Sequence, residues 1–325
     1  MKNLLSAQYS RLFRSKTFYL SIIFFILMAL FYVLPGAVEF SRNIDILVNP
    51  MSMLYIPYPV NFKPLTTDYL SVFDSDFLDA IFNVRLDADY YLKLNLTPYI
   101  VIIALLVSLL IGRDFSNNTI RNKLIAGYSR ISVYLSNLIV CLTAGVIMQI
   151  IYVITAFVPI FILYLKIKAA ADNVYLFNNS FKDIVIFQLA GFAVILVYTS
   201  IFLMFTMISS TRTHAVLASL VLVISLMIGG EYIDQTLYPS DIDDGYYTYS
   251  EYMTEREESR GKYLGDTERK IYGFLDDVLT IRQTSYLTHS SELPLRTGRY
   301  FVYDALIIAA ATSLGMLVFS RKDLK

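Results

Sequence analysis

Residues 133–165 read VYLSNLIVCLTAGVIMQIIYVITAFVPIFILYL, thirty-three positions without one charged side chain. As a helix this run is roughly 50 Å long at 1.5 Å per residue. A bilayer crossing needs only about 20 mostly apolar residues. The run is therefore read as a membrane span with a surplus, and its first turns, around Asn137, are expected to lie at the membrane surface. Five further stretches have the same character: Phe18–Val38, Pro98–Gly112, Ile184–Ile208, Ala215–Gly230 and Phe301–Ser320. Asp304 is the only charged residue in any of the six. Pro98–Gly112 and Ala215–Gly230 are short and are expected to gain a turn from their flanks. Phe18–Val38 is longer than the apolar core of a signal peptide, and no small-residue cleavage pattern follows Pro35 and Gly36, so it reads as a retained helix.

Composition agrees. The chain has 325 residues, 56% hydrophobic and 17% charged, where soluble domains carry about 25% charged residues. Mean hydropathy is +0.54. A single soluble core cannot hide this much apolar surface, which excludes a soluble enzyme, a disordered tail and a disulfide scaffold. Cys141 is the only cysteine, so neither an intrachain disulfide nor a Cys-based zinc cluster can form. The fold class expected is an all-α polytopic membrane protein with six transmembrane helices.

The net charge is zero, but charge is sorted along the chain. One set of flanks, 1–17, 113–132, 209–214 and 321–325, holds 12 Lys/Arg and 2 Asp/Glu in 48 residues. The other set, 39–97, 166–183 and 231–300, holds 15 Lys/Arg and 24 Asp/Glu in 147 residues. By the positive-inside rule the first set faces the cytoplasm. Both termini are expected inside, and 39–97 and 231–300 become two large extracellular loops. The short loop with Lys166, Lys168 and Lys182 runs against this trend.

The polar segments carry the rest of the reading. In 1–17, Leu5, Tyr9, Leu12 and Phe13 share one helical face, with Lys2, Arg11, Arg14 and Lys16 around it, which suits a helix lying in the headgroup layer. A plain basic anchor that only sets topology is the alternative. Residues 113–132 are too polar to span. Ser116 or Asn117 is placed to cap a short helix there, Ile120 and Leu124 share its face, and Gly127 stops it. Such a helix is a docking knob for a cytoplasmic partner, against the plain alternative of a basic loop.

The run IGRDFSNNTIRNKLIAGYSRISVYLSNLI (111–139) resembles the segment after the second span in permeases of the ABC-2 transporter family. Phe115, Asn118, Thr119, Ile120, Asn122, Gly127, Ser129, Arg130, Tyr134 and Asn137 match its pattern, although Asn118 stands where the family more often has Gly. The start LLSAQYSRLFRSKTFY (4–19) resembles the family's N-terminal connecting helix, and the end VFSRKDLK (318–325) its basic tail. The resemblance implies a six-span permease that pairs with a second permease, identical or related. Two copies of a cytoplasmic ABC ATPase dock through the coupling helix, here Asn118–Gly127, with Asn118, Thr119, Ile120, Arg121, Lys123, Leu124, Gly127 and Arg130 as the docking residues. ATP and Mg belong to that partner. This chain has no G-x-x-x-x-G-K-[ST] motif, and Gly261–Lys262 lacks both flanks of one. No catalytic residue, no metal site and no nucleic acid partner are expected. His214 and His289 are expected on opposite sides of the membrane.

The loop of 231–300 contains a second amphipathic stretch. Ile271, Phe274, Leu275, Val278 and Leu279 share a face, with Asp276 and Asp277 off it, and Gly229 and Gly230 are expected to end the fifth span. Family members resemble this in forming short helices that dip back into the outer leaflet, which makes Phe274, Leu275 and Val278 outer-gate candidates; a surface helix is the other reading. Tyr246, Tyr247, Tyr249 and Tyr252, with the acid excess of both loops, suit a cationic amphipathic peptide, against the ordinary acid and Tyr bias of outer loops. Asp74, Asp76 and Asp79 fail the spacing of a calcium loop. Within the spans, Thr143, Gln149, Gln188, Thr199 and Thr206 are candidates for a substrate path, although such residues also tie helices together. Asp304 is expected within reach of water near the outer end of its span.

The favoured expectation is the permease subunit of an ATP-driven exporter in the bacterial plasma membrane, moving a peptide, lipid or drug-like cargo. The alternative is a membrane scaffold or sensor in a peptide-resistance or immunity system. A secondary transporter would need more buried ionisable groups, and an intramembrane enzyme a catalytic pair at membrane depth.

Overall fold

The computed structural model describes residues 2–42, 84–85, 96–168, 174–175, 181–209, 211–238, 260–289 and 297–322. The helices are α1 (Lys2–Phe13), α2 (Lys16–Arg42), α3 (Leu96–Ser116), α4 (Thr119–Ile125), α5 (Arg130–Lys168), α6 (Phe181–Ile208), α7 (Arg212–Leu237), α8 (Asp266–Val278), α9 (Thr280–His289) and α10 (Thr297–Arg321). A two-residue parallel pair, β1 (Val84–Arg85) with β2 (Val174–Tyr175), is the one pair of strands among the described residues. The aspartates at 74, 76 and 79 and the tyrosines at 246, 247, 249 and 252 lie outside the described residues.

Five helices, α3, α5, α6, α7 and α10, are long and apolar enough to cross a membrane. A sixth is counted if α1 and α2 through Phe31, bent by 58° at their junction, form one broken span. The chain is thus a helical, membrane-embedded, multi-pass protein. Its surface fits that solvent. Leu217, Val221, Ile224 and Ile228 form an exposed stripe on α7, and Val302, Leu306, Leu314 and Leu317 are exposed on α10. Each such side chain left in water forfeits about 1.5–3 kcal/mol of burial, a loss that lipid removes.

The chain divides into two compact units. One holds Phe25–Leu92 and Ile151–Ile184, and within it β1 pairs with β2. The other holds Met1–Phe24, Lys93–Ile150 and Val185–Lys325. In this larger unit α3 and α7 form the most extensive helix pair. Ile103, Leu106, Val107 and Ile111 of α3 are buried there. Ser108 Oγ lies 2.8 Å from Ser219 Oγ of α7, and Thr206 Oγ1 of α6 donates to Ser108 Oγ at 3.5 Å. A buried hydroxyl with no water nearby must find such partners.

Several expectations change. Within 113–132, Arg113–Ser116 complete α3 and α4 covers only Thr119–Ile125, while Arg130 opens α5 as the sequence suggests. Neither Ser116 nor Asn117 caps α4; the cap position is Asn118, and Ser116 Oγ instead donates to Gly112 O at 3.2 Å. Asn137 is fully buried within the protein, because α1 covers it: Gln8 Nε2 donates to Asn137 Oδ1 at 2.6 Å. The buried face of α1 is accordingly Leu4, Gln8 and Leu12, while Phe13 is exposed. Asp304 is buried, and its Oδ1 has no hydrogen-bond partner among the described residues.

Gly229 and Gly230 do not end the fifth span either, since α7 continues through both to Leu237. The reason is tertiary. A Cβ on Gly230 would meet Ile281 Cγ2 of α9 at 2.7 Å, whereas one on Gly229 would meet nothing within 4 Å. Gly230 is thus a seat for α9 rather than a stop signal. Gly230→Ala is expected to lower stability by about 1–3 kcal/mol through overpacking. Gly229→Ala is expected to be neutral or stabilising by up to about 1 kcal/mol from helix propensity. Thermal melting of both variants in detergent checks the contrast.

Candidate functional site

Two polar clusters in the larger unit hold the short helices against the long ones. The first lies where α3 meets α4. Asp114 is buried, and two cations reach it: Arg11 Nη1 of α1 pairs with Oδ1, and Lys123 Nζ of α4 pairs with Oδ2 at 3.0 Å. One carboxylate therefore fastens both α1 and α4 to the end of a membrane-length helix. Burial first, then the Arg11 charge beside it, pull the Lys123 ammonium down to about 7.

The turn into α4 depends on Asn118, whose φ of 54° is left-handed. Asn tolerates this region far better than most residues, so Asn118 is compatible with the turn. Asn118 also accepts through its carbonyl from Asn122 N–H at 3.0 Å. At the other end Gly127, at φ 89°, donates its N–H to Leu124 O at 3.0 Å and closes the helix.

The exposed side of α4 differs from the expected one. Ile120 is only 1% exposed and packs inward, and Leu124 is half-buried. Arg121 and Asn122 are exposed, and Ile125 is 75% exposed. Thr119 and Lys123 are half-buried, and Gly127 is open. Arg130 turns away from α4: its Nη1 donates to Phe319 O at 3.3 Å and to Lys322 O. Lys322 Nζ donates to Met207 O, Ile208 O and Ser209 O at 3.1, 2.9 and 2.6 Å and sits 4.5 Å from the Phe115 ring centroid. The ammonium caps the carbonyls that end α6. The ends of α3, α6 and α10 and the start of α5 are thereby gathered beside α4.

The second cluster lies at the opposite end of α7. Asp276 of α8 is buried and receives Arg282 Nε at 2.9 Å, Arg260 Nη2 at 2.9 Å, Tyr286 OH at 3.1 Å and Tyr238 OH at 3.3 Å. Arg282 also pairs with Asp234 of α7. Asp277 pairs with Arg260 at 3.2 Å, and burial pushes its carboxyl up against that attraction. Burial works against the Arg282 cation, but Tyr286, Asp234 and Asp276 together hold it above its ordinary value. The apolar face of α8 is only partly its buried face. Asp276 and Asp277 are buried, while Ile271 and Phe274 are exposed.

Of the outer-gate candidates, Phe274 meets Tyr303 of α10 edge-on at 6.1 Å, and Leu275 packs with Leu279 on Ile233, Leu237 and Tyr238; Val278 is half-buried. Of the path candidates only Gln149 and Gln188 bond each other. Thr143 Oγ1 bonds Tyr9 OH of α1 at 2.8 Å, Gln149 Nε2 donates to Gln188 Oε1 at 3.3 Å, and Thr206 joins Ser108. Thr199 is buried, and its hydroxyl has no hydrogen-bond partner among the described residues. Within this chain these residues act mainly as helix ties. Sequence reading missed the roles of Gln8, Arg11, Asp114 and Lys322. Asp114 carries a legible signal, as the only acid in the basic segment 113–132.

Among the described residues no group of three or more His, Cys, Asp or Glu side chains is arranged to hold a metal ion. No protein-family model, curated protein or solved structure matches the chain.

Two outcomes test the clusters. The folded value for Lys123 lies below the unfolded one, so the unfolded chain binds more protons between about pH 7 and 10.5. Stability from this group rises with pH through that window and is lost as pH falls toward 7. Lys123→Gln is expected to flatten that part of the melting-temperature profile. Asp276→Ala removes the acceptor shared by two arginines and two tyrosines, leaving Arg282 with Asp234 and Arg260 with Asp277, an expected cost of about 1–3 kcal/mol. Detergent melting checks it, with Asp276→Asn expected to fall between the variant and the parent.

Proposed function

We propose that the chain is the permease subunit of an ATP-driven exporter, with ATP hydrolysed by a separate cytoplasmic subunit. The observation that carries this reading is α4. It is a seven-residue helix clamped by Asp114 to α1 and α3, and it presents an exposed Ile125 beside Arg121. A partner that moved α4 would move those helices with it, because the buried ion pairs are costly to break. The match of 111–139 to the ABC-2 pattern supports the same assignment, with α4 as the coupling helix. The charge sorting supports a bacterial plasma membrane location with both termini and α4 in the cytoplasm. On this reading two ATPase copies carry ATP and Mg, a second permease, identical or related, completes the complex, and α8 and α9 cap the outer side. Cargo is a peptide, lipid or drug-like molecule.

The test is purification of the chain from its host in mild detergent, with identification of what accompanies it. A nucleotide-binding subunit is expected, and Arg121→Glu with Ile125→Glu is expected to release it while the chain stays in the membrane. A chain recovered alone, stable and without any ATPase, overturns the reading and favours a membrane scaffold or sensor.

A further inference from the structure

A groove of about 390 Å³ separates α2 from α3. Leu20 and Phe24 form one wall, and Val101, Leu105 and Leu109 the other. Its apolar walls are not filled by protein: Leu20 is 65% and Phe24 47% exposed. The hydroxyl of Ser21, which also borders the groove, donates to Thr17 O at 3.0 Å, so it is satisfied by its own helix backbone. From Val101 to Leu109 the wall runs roughly 12 Å along α3 at 1.5 Å per residue. This is the shape of a slot for part of a single hydrocarbon chain.

Basic residues flank one end of the slot along both helices. Thr17 at the groove's end follows Lys16, and Arg14 lies in the bend between α1 and α2. Leu109 stands one turn before Arg113 on the facing helix. The Arg11–Asp114 pair brings these two chain ends to the same level, and Arg113 is close enough for its charge to act on Arg11. Arg14, Lys16 and Arg113 are all exposed. The nearby carboxylate, Asp114, is buried and already engaged by Arg11 and Lys123, so it does not offset these three charges.

We propose that this groove is a binding site for an anionic phospholipid. One acyl chain occupies the slot between α2 and α3, and the phosphate lies against Arg14, Lys16 and Arg113. The argument is charge complementarity joined to an unfilled apolar slot: a zwitterionic headgroup would leave the basic end largely uncompensated. The site rests on the membrane-embedded character of the chain and not on the exporter reading.

The chain contains no tryptophan, which provides the test. Leu20→Trp places a single fluorophore at the groove, and Leu217→Trp, on the exposed stripe of α7, serves as control. Each full-length variant is reconstituted in phosphatidylcholine vesicles and titrated with brominated phosphatidylglycerol or brominated phosphatidylcholine. At position 20 the phosphatidylglycerol is expected to quench at least about fivefold more effectively, given about 1 kcal/mol per basic residue near an anionic headgroup. At position 217 no preference is expected. Adding Arg14→Gln, Lys16→Gln and Arg113→Gln to Leu20→Trp is expected to abolish the preference while leaving quenching by phosphatidylcholine unchanged. Equal quenching by both lipids at position 20, or the same preference at both positions, overturns the proposal, because either means ordinary annular lipid.

Discussion

Asp114 accepts a cation from each of two short helices, α1 and α4, while standing on the membrane-length α3. Almost everything distinctive about this end of the molecule depends on that shared carboxylate. A buried carboxylate in a low-dielectric setting is tolerated only when it is paired. Here the pairing does more than neutralise a charge. It determines where α1 lies, and with it the cover over Asn137, and it determines which face α4 turns outward.

The other end of α7 repeats the device with different parts. Asp276 gathers two arginines and two tyrosines, and Arg282 carries the network on to Asp234 at the end of α7. Two short helices are again tied to a long one through a buried acid. Between the two clusters the long helices associate by apolar packing with sparse hydroxyl contacts, such as Ser108 with Ser219. That division follows from the solvent. Lipid gives apolar faces little reason to associate, so close packing and occasional polar ties must supply the specificity. Strong ionic ties are confined to the ends, where desolvation costs less.

If the chain is an exporter permease, these clusters are the natural points at which force enters and leaves it. A push on α4 reaches α1 and α3 through Asp114. The α3–α7 pair extends from there to the cluster around Asp276. The exposed apolar faces of α7 and α10 are then available to lipid or to a second permease.

The membrane-length helices were legible because length and apolarity are properties of the chain alone, and a bilayer demands little else of a span. The short helix α4 was legible too, from its polar setting and its closing glycine, though not its cap, as was the amphipathic α8. What could not be read was which way these short helices face. Ile120 and Leu124 look like a docking face by spacing, yet Ile120 is buried and Ile125 is presented, because the Lys123–Asp114 pair and the left-handed Asn118 set the rotation of α4. Asp276 and Asp277 look like the wet side of α8, yet arginines outside α8 draw them inward. Gly230 looks like a helix stop, yet it is the seat for Ile281. In each case the deciding partner lies on another element. Periodicity and composition determine that a segment is helical and where it is apolar, whereas the choice of face belongs to pairings that exist only once the chain has folded.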